Sequence, residues 1–246
     1  MILFFILGTL IGSFLNVVIF RFPNNESIIT PRSHCRNCKK NIPFYLNIPI
    51  LSYIILKGKC QSCKTIISPQ YIIVEFLTGI LFFLVFNGLV IYEATLLVII
   101  FSCLIVISFI DYRYHLIPSL LLIFLLILLI PYSLIYKVSI DEILIGGFAI
   151  TAYLLGCTLF VGFLKKQKNI LGFGDVLLIF FIGGWLGMLD SFLCLFVSAI
   201  IGIVYIVFTN LKTKNKRIIK IPFGTCLSIS FVIISLLKIY TNLIIF

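Results

Sequence analysis

MILFFILGTLIGSFLNVVIF, residues 1–20, runs for twenty residues without a charged side chain. A helix rises about 1.5 Å per residue, so a stretch of this length spans the roughly 30 Å hydrocarbon core of a bilayer. It lacks the basic start of a signal peptide, and its apolar run is longer than a usual signal core, so it reads as a first spanning helix. Similar runs recur along all 246 residues, which are 62% hydrophobic and 11% charged, with a mean hydropathy of +1.25. A soluble domain of this size needs far more polar surface. The expected fold is an all-α integral membrane protein of about eight transmembrane helices. They are placed near 2–20, 70–90, 94–111, 116–136, 142–164, 175–188, 190–209 and 223–245. The sixth is short enough to be a shallow or tilted span.

The formal net charge is +11. Its distribution gives it meaning. Loop 21–69 holds eight Lys and Arg: Arg21, Arg32, Arg36, Lys39, Lys40, Lys57, Lys59 and Lys64. Following the chain, the turn at 112–115 holds Arg113, loop 165–174 holds Lys165, Lys166 and Lys168, and loop 210–222 holds five: Lys212, Lys214, Lys216, Arg217 and Lys220. The intervening connections hold none, then Lys137, then none. Cytoplasmic loops carry the excess of Lys and Arg. The alternation fits a plasma-membrane protein with both termini outside and loop 21–69 in the cytoplasm. The lipid bilayer thus accounts for the basic character, and no nucleic acid is expected. Lys238, inside the last helix, is expected to reach towards the outer interface.

Loop 21–69 contains Cys35, Cys38, Cys60 and Cys63, spaced C-x2-C-x21-C-x2-C. Two such pairs can place four thiolates around one Zn²⁺. Disulfides are the alternative, and a reducing cytoplasm argues against them. A small polar loop cannot build its own core, so a metal would supply folding energy. The expectation is a zinc-binding loop domain between helices 1 and 2, closed by four sulfurs and therefore structural. Cys103, Cys157, Cys194 and Cys226 lie singly in spans and read as small apolar residues.

Of eight acidic residues, two sit at span edges at matched depth. Asp111, in FIDYRYHLIP, ends the third span, and Asp175, in LGFGDVLL, starts the sixth. Acids at such places mark function. Two carboxylates from different helices can share a proton and activate a water, as aspartyl hydrolysis requires. Gly172 and Gly174 beside Asp175 would let an extended peptide backbone approach. Each acid also has a plainer reading, Asp175 as a helix cap and Asp111 as a turn residue paired with Arg113. The helix-end argument puts the shared proton on Asp111, at a negative helix end, and makes Asp175, at a positive end, the base. His34 and His115 lie at loop or span edges and read as solvated. Glu75 is a span-edge acid for which functional and helix-start readings are equally open.

In order along the chain, GSFLNVVIFRFP (12–23), the two CxxC pairs, ISPQYIIVEFLTG (67–79), IDYRYHLIP (110–118), LGFGDVLLIFFIGGWLG (171–187) and IPFGTCLS (221–228) resemble the prepilin peptidases. These are the type IV leader peptidases of the GxGD class of membrane aspartyl proteases. The resemblance implies cleavage of a basic leader after Gly at the cytoplasmic face of prepilin or pseudopilin substrates. It implies Asp111 and Asp175 as the catalytic pair. Arg113 stands where many members carry a second acid, Leu46 replaces a common acid before NIP, and the first cysteine pair lacks its usual proline. Many members also N-methylate the new amino terminus with S-adenosylmethionine, an activity associated with the zinc-loop region. No residues for that cofactor can be named. The implied division is an amino-terminal region, 1–92, and a peptidase membrane domain, 93–246. The alternatives are a peptidase without methyl transfer, a small polytopic transporter or proton relay using the same acids, and a structural subunit of a secretion apparatus.

Overall fold

A computed structural model of the protein describes residues 1–165, 172–212 and 220–241. Leu171, Lys166, Lys168, Lys214, Lys216, Arg217 and residues 242–245 of the expected last helix lie outside the described residues. The described chain is helical, with two isolated β-bridges and no strand. Its helices are α1 (Ile2–Arg21), α2 (Leu51–Ile55), α3 (Gln70–Gly88), α4 (Ile91–Tyr114), α5 (Ser119–Ile127), α6 (Leu129–Tyr136), α7 (Ile140–Lys165), α8 (Phe173–Lys212) and α9 (Phe223–Thr241). Large apolar side chains such as Leu10, Phe14, Leu159 and Phe196 stand exposed on them. Outward apolar faces of this kind are stable in lipid and costly in water.

The chain forms two compact units, 1–106 and 107–246, with the boundary inside α4. In the first unit α1 packs along α3, backbone to backbone. A methyl group on Gly8 would stand 2.7 Å from the Thr78 carbonyl oxygen. In the second unit α8 packs against α7 and α9.

Seven described helices, counting α5 and α6 together, are long and apolar enough to cross a membrane. The expected span 116–136 divides because Pro131 has no N–H and its ring clashes with the carbonyl four residues earlier, that of Ile127. That residue is where α5 ends.

The 40-residue α8 is two helices joined at Gly187. Gly187 has φ 77° and ψ 176°, which glycine alone adopts readily. After it, α8 runs antiparallel to α9, with Asp190 paired to Lys238 and Cys194 Sγ 3.0 Å from Ser230 Oγ. Continued straight backwards, the helix would carry Phe181 past the end of α9. Instead Phe181 meets Phe231 with ring centroids 5.8 Å apart. The chain therefore reverses at Gly187, two residues before the expected turn at Leu189, so α8 is two helices joined there. Lys238, expected to extend to the interface, has Asp190 as its partner.

Candidate functional site

Asp111 lies in the last turn of α4, where its carbonyl oxygen accepts the His115 N–H at 2.8 Å. His115 itself has φ 52° and ends the helix. The Asp111 side chain is 5% exposed. Its Oδ2 accepts the Thr225 N–H at 2.7 Å and lies 3.1 Å from Thr225 Oγ1. Gly224 and Thr225 belong to the first turn of α9, whose N–H groups have no partner within the helix. Arg113 stacks over the Tyr114 ring at 5.8 Å.

Asp175 is half-buried in the first turn of α8. The Asp175 N–H donates to the Gly172 carbonyl at 3.1 Å and the Val176 N–H to the same oxygen at 3.3 Å, so the helix opens on Gly172. Asp175 and Asp111 lie close enough to interact as like charges. The expectation of opposite helix ends is corrected here. Asp111 closes α4, but its carboxylate sits on the amino-terminal N–H groups of α9. Both acids thus face positive helix ends, and the dipole argument no longer places the proton on Asp111.

Ile117 sits beside Gly174, next to Asp175, and beside Gly224, next to the Asp111 carboxylate. A methyl on Gly174 would stand 2.9 Å from Ile117 Cβ, and one on Gly224 would stand 2.8 Å from Ile117 Cδ1 and 3.2 Å from Asp111 Oδ2. Under Asp175, a methyl on Gly172 would lie 3.1 Å from Oδ2. The glycines of this site thus adjoin the chain's own side chains. Real Cβ contacts closer than about 3 Å force a shift, so bulk at 174 or 224 would move Ile117 or the carboxylate.

In the first unit, the four loop cysteines form a second cluster. Their Sγ atoms all lie within 4.8 Å of one another, and Cys35 and Cys63 are 3.7 Å apart. Tetrahedral Zn–S bonds of about 2.3 Å require S···S separations of about 3.8 Å, so the set could hold one metal ion. The two CxxC turns repeat one geometry. Lys39 N–H reaches the Cys35 carbonyl at 2.9 Å, and Lys64 N–H reaches that of Cys60 at 3.0 Å. Lys39 and Lys64 both have φ 58°. All four thiols are free of disulfides. Hydrogen bonds from the Thr65 hydroxyl and amide push the Cys63 thiol down to about 5. At Cys38 the Lys40 amide lowers the pKa, but burial and three neighbouring thiols outweigh it and push it up to about 11. Without a cation, four crowded sulfurs cannot all ionise.

Arg21, 7% exposed, ties the loop to α1 by donating to the Ser27 and Pro31 carbonyls at 2.8 Å. From α3, Glu75 accepts the Ile50 N–H at 2.7 Å.

Residues 98–207 match the model of the Type IV leader peptidase family, and residues 6–89 that of the Bacterial Peptidase A24 N-terminal domain. The chain is 32% identical over 250 residues to the Type 4 prepilin-like proteins leader peptide-processing enzyme of Escherichia coli O78:H11, covering 90% of this chain and 88% of that one. The chain belongs to the type IV leader peptidase family. It is also 33% identical over 257 residues to the Prepilin leader peptidase/N-methyltransferase of Neisseria gonorrhoeae, covering 92% and 86% of the two chains. For the protein of that name in Vibrio cholerae serotype O1, identity is 32% over 254 residues, covering 95% of each. No solved structure matches.

Within the family match, the cysteine cluster falls in the amino-terminal segment and both aspartates in the leader peptidase segment. Gly224 and Thr225 lie beyond it. Sequence reading noted IDYRYHLIP (110–118) and IPFGTCLS (221–228) as segments without giving Ile117, Gly224 or Thr225 a task.

Proposed function

We propose that this protein is a membrane aspartyl endopeptidase that removes the basic leader of prepilin-like substrates, with Asp111 and Asp175 as its catalytic pair. The observation that carries the reading is that Ile117 adjoins both Gly174, next to Asp175, and Gly224, beside the Asp111 carboxylate, so the ends of α4 and α8 that bear the two acids come together. One acts as carboxylate and takes a proton from water; the other, as acid, gives a hydrogen bond to the scissile carbonyl. The proton then passes to the leaving amine. Thr225 suits either state of Asp111. Its single hydroxyl proton goes to Ser108 O, 2.9 Å away, or to Asp111 Oδ2. When Asp111 carries a proton, Asp111 can donate to Thr225 Oγ1 while Thr225 donates to Ser108.

The excess of Lys and Arg in alternate loops supports a cytoplasmic position for both aspartates and loop 21–69 at the plasma membrane. Cleavage there follows a Gly, before the apolar segment of the substrate. Gly172 and Gly174 lie where an extended substrate backbone would pass. Cys35, Cys38, Cys60 and Cys63 hold a structural Zn²⁺; all four positions are sulfur, so the ion folds the loop and takes no part in hydrolysis. Residues 1–92 carry a second activity, N-methylation of the freed amino terminus by S-adenosylmethionine, and 93–246 carry the peptidase. The relatives' names support both activities.

Mass spectrometry of a co-expressed prepilin tests this. The wild type should yield a chain cut after Gly and carrying one methyl group, and Asp175→Ala should leave the leader attached. A processed chain in the variant would remove the reading.

A further inference from the structure

Helix α2, in the loop between α1 and α3, turns large apolar side chains outwards. Leu51, Ile54 and Ile55 are between 55% and 71% exposed. At positions i, i+3 and i+4 they share one helix face. Tyr53 takes the other side. Its hydroxyl donates to the Ile67 carbonyl at 3.4 Å, and a methyl on Gly58 would stand 3.1 Å from the same hydroxyl oxygen. Packing within the loop therefore uses one side of α2 and leaves the apolar face open.

Both ends of α2 are fixed beside α3. The Ile50 N–H, just before α2, donates to Glu75 Oε2 at 2.7 Å. Glu75 lies five residues after Gln70, the first of α3, which is about 7 Å along that helix. The Gly58 carbonyl, just after α2, accepts the Ile67 N–H at 2.7 Å, three residues before α3 begins. α2 thus starts beside the second turn of a membrane span and ends at the level where that span leaves the bilayer. Lys57 and Lys59, both exposed, follow at its outer end. Loop 21–69 as a whole holds eight Lys and Arg against one acid, Glu26.

An apolar face at that depth meets hydrocarbon, and lysines just beyond it meet the headgroup layer. Interfacial helices lie with their apolar face about 5–10 Å into that boundary. The charge selects the partner. A loop this basic repels a basic leader peptide, whereas an acidic leaflet attracts each Lys or Arg close to its surface.

We propose that α2 is an interfacial anchor that docks on acidic phospholipids of the protein's own membrane. Leu51, Ile54 and Ile55 enter the acyl boundary, and Lys57 and Lys59 meet the lipid phosphates. The docked helix pins the cysteine loop to the leaflet surface. The anchor requires neither leader cleavage nor methyl transfer.

Hydrogen exchange on the full-length protein in lipid nanodiscs tests this. A helix as short as α2 is marginal by itself, so protection of its amides reports docking. Exchange across 51–56 should be roughly 10-fold or more slower in phosphatidylglycerol than in phosphatidylcholine at low salt. Salt at about 1 M should remove most of that difference. Replacing both lysines, Lys57→Gln with Lys59→Gln, should also remove most of it, about fivefold for each. The same variant should exchange like the wild type in phosphatidylcholine and keep its zinc. A second readout is depth. Trp185 is the single tryptophan of the chain, so Ile55→Trp in a Trp185→Phe background gives one reporter. Lipid brominated near the headgroup end of its acyl chains should quench that reporter roughly twofold more than lipid brominated at the chain ends. Equal exchange in the two lipids overturns the proposal, and so does a reporter that neither lipid quenches. Loss of zinc and of protection in both lipids alike also overturns it, since the lysines would then hold the loop and not the lipid. Protection that appears only when a purified prepilin is added, whatever the lipid, would assign the face to a protein partner and overturn it too.

Discussion

The Thr225 main-chain N–H, in the first turn of α9, donates to Asp111 Oδ2 at 2.7 Å across 114 residues of sequence. The hydroxyl of the same residue stands 3.1 Å from that oxygen. Thr225 is a positioning residue that orients one acid of the pair through two groups. Thr225→Val keeps the N–H and removes the hydroxyl. It is expected to lower kcat by about 10–100-fold with little change in KM, the usual cost of a lost orienting partner. Thr225→Ser should restore most of the rate. Steady-state kinetics on a purified prepilin measures all three proteins. Equal kcat in wild type and Thr225→Val would show that the hydroxyl has no part in orienting Asp111.

Gly224 is expected to tolerate no side chain unless Ile117 gives way. A methyl at 224 meets Ile117 Cδ1 at 2.8 Å and Asp111 Oδ2 at 3.2 Å. Gly224→Ala should slow cleavage, and adding Ile117→Val, which removes that Cδ1, should recover part of the loss. Residues in contact couple by about 0.5–3 kcal/mol in such cycles. At Gly174 the neighbour is Ile117 Cβ at 2.9 Å, a branch point that cannot swing away. Gly174→Ala should therefore gain less from the same second change. Purely multiplicative effects at 224 would mean the two side chains do not meet.

Metal retention in the cysteine loop should fall with acid. A metal binds thiolates, and Cys63, held down at about 5 by Thr65, ionises first. A lowered pKa gives stabilisation that is full above the ordinary thiol value near 9 and is lost as pH falls from there through the folded value near 5. Zinc content measured against pH should hold near 7 and decline through the region around 5. Cys38, pushed up to about 11 before any metal binds, must release its proton on binding. Calorimetry in buffers of different ionisation enthalpy should show proton release at pH 7. Thr65→Val should move the loss of zinc to higher pH. Unchanged zinc content down to pH 3 would contradict a thiolate site.

Gly187 should resist substitution for backbone reasons alone. Its φ of 77° with ψ 176° lies in a region left to glycine, and nothing stands within 4 Å of an added methyl. Gly187→Ala is expected to cost about 1–3 kcal/mol from strain with no steric clash. A lower Tm in detergent, with cleavage at permissive temperature little changed, is the expected result. An unaltered Tm would mean the reversal does not depend on that conformation.

Local signals made much of this molecule legible. A charge inside an apolar run is conspicuous, which is why Asp111 and Asp175 stood out, and four cysteines at CxxC spacing declare their geometry over a few residues. What escaped depended on contacts between distant segments. Thr225 and Ile117 carry no mark of their own; only packing brings them to the acids. The expected turn between spans 175–188 and 190–209 falls at Leu189, whereas the break in helical backbone is at Gly187, whose positive φ only the folded backbone reveals. The helix-dipole argument for Asp111 failed for a similar reason. It counted the helix that carries the acid and not α9, whose N–H groups the carboxylate meets.

The cleavage rate of a purified prepilin by Asp111→Asn, Asp175→Asn and the double variant asks whether the two acids work as one unit. Residues that act together are strongly non-additive. Each single change should slow cleavage by about 1000-fold or more, and the double variant should be no slower than either single one. Leader removal at the wild-type rate by either single variant, or losses that multiply in the double, would contradict a shared carboxylate pair.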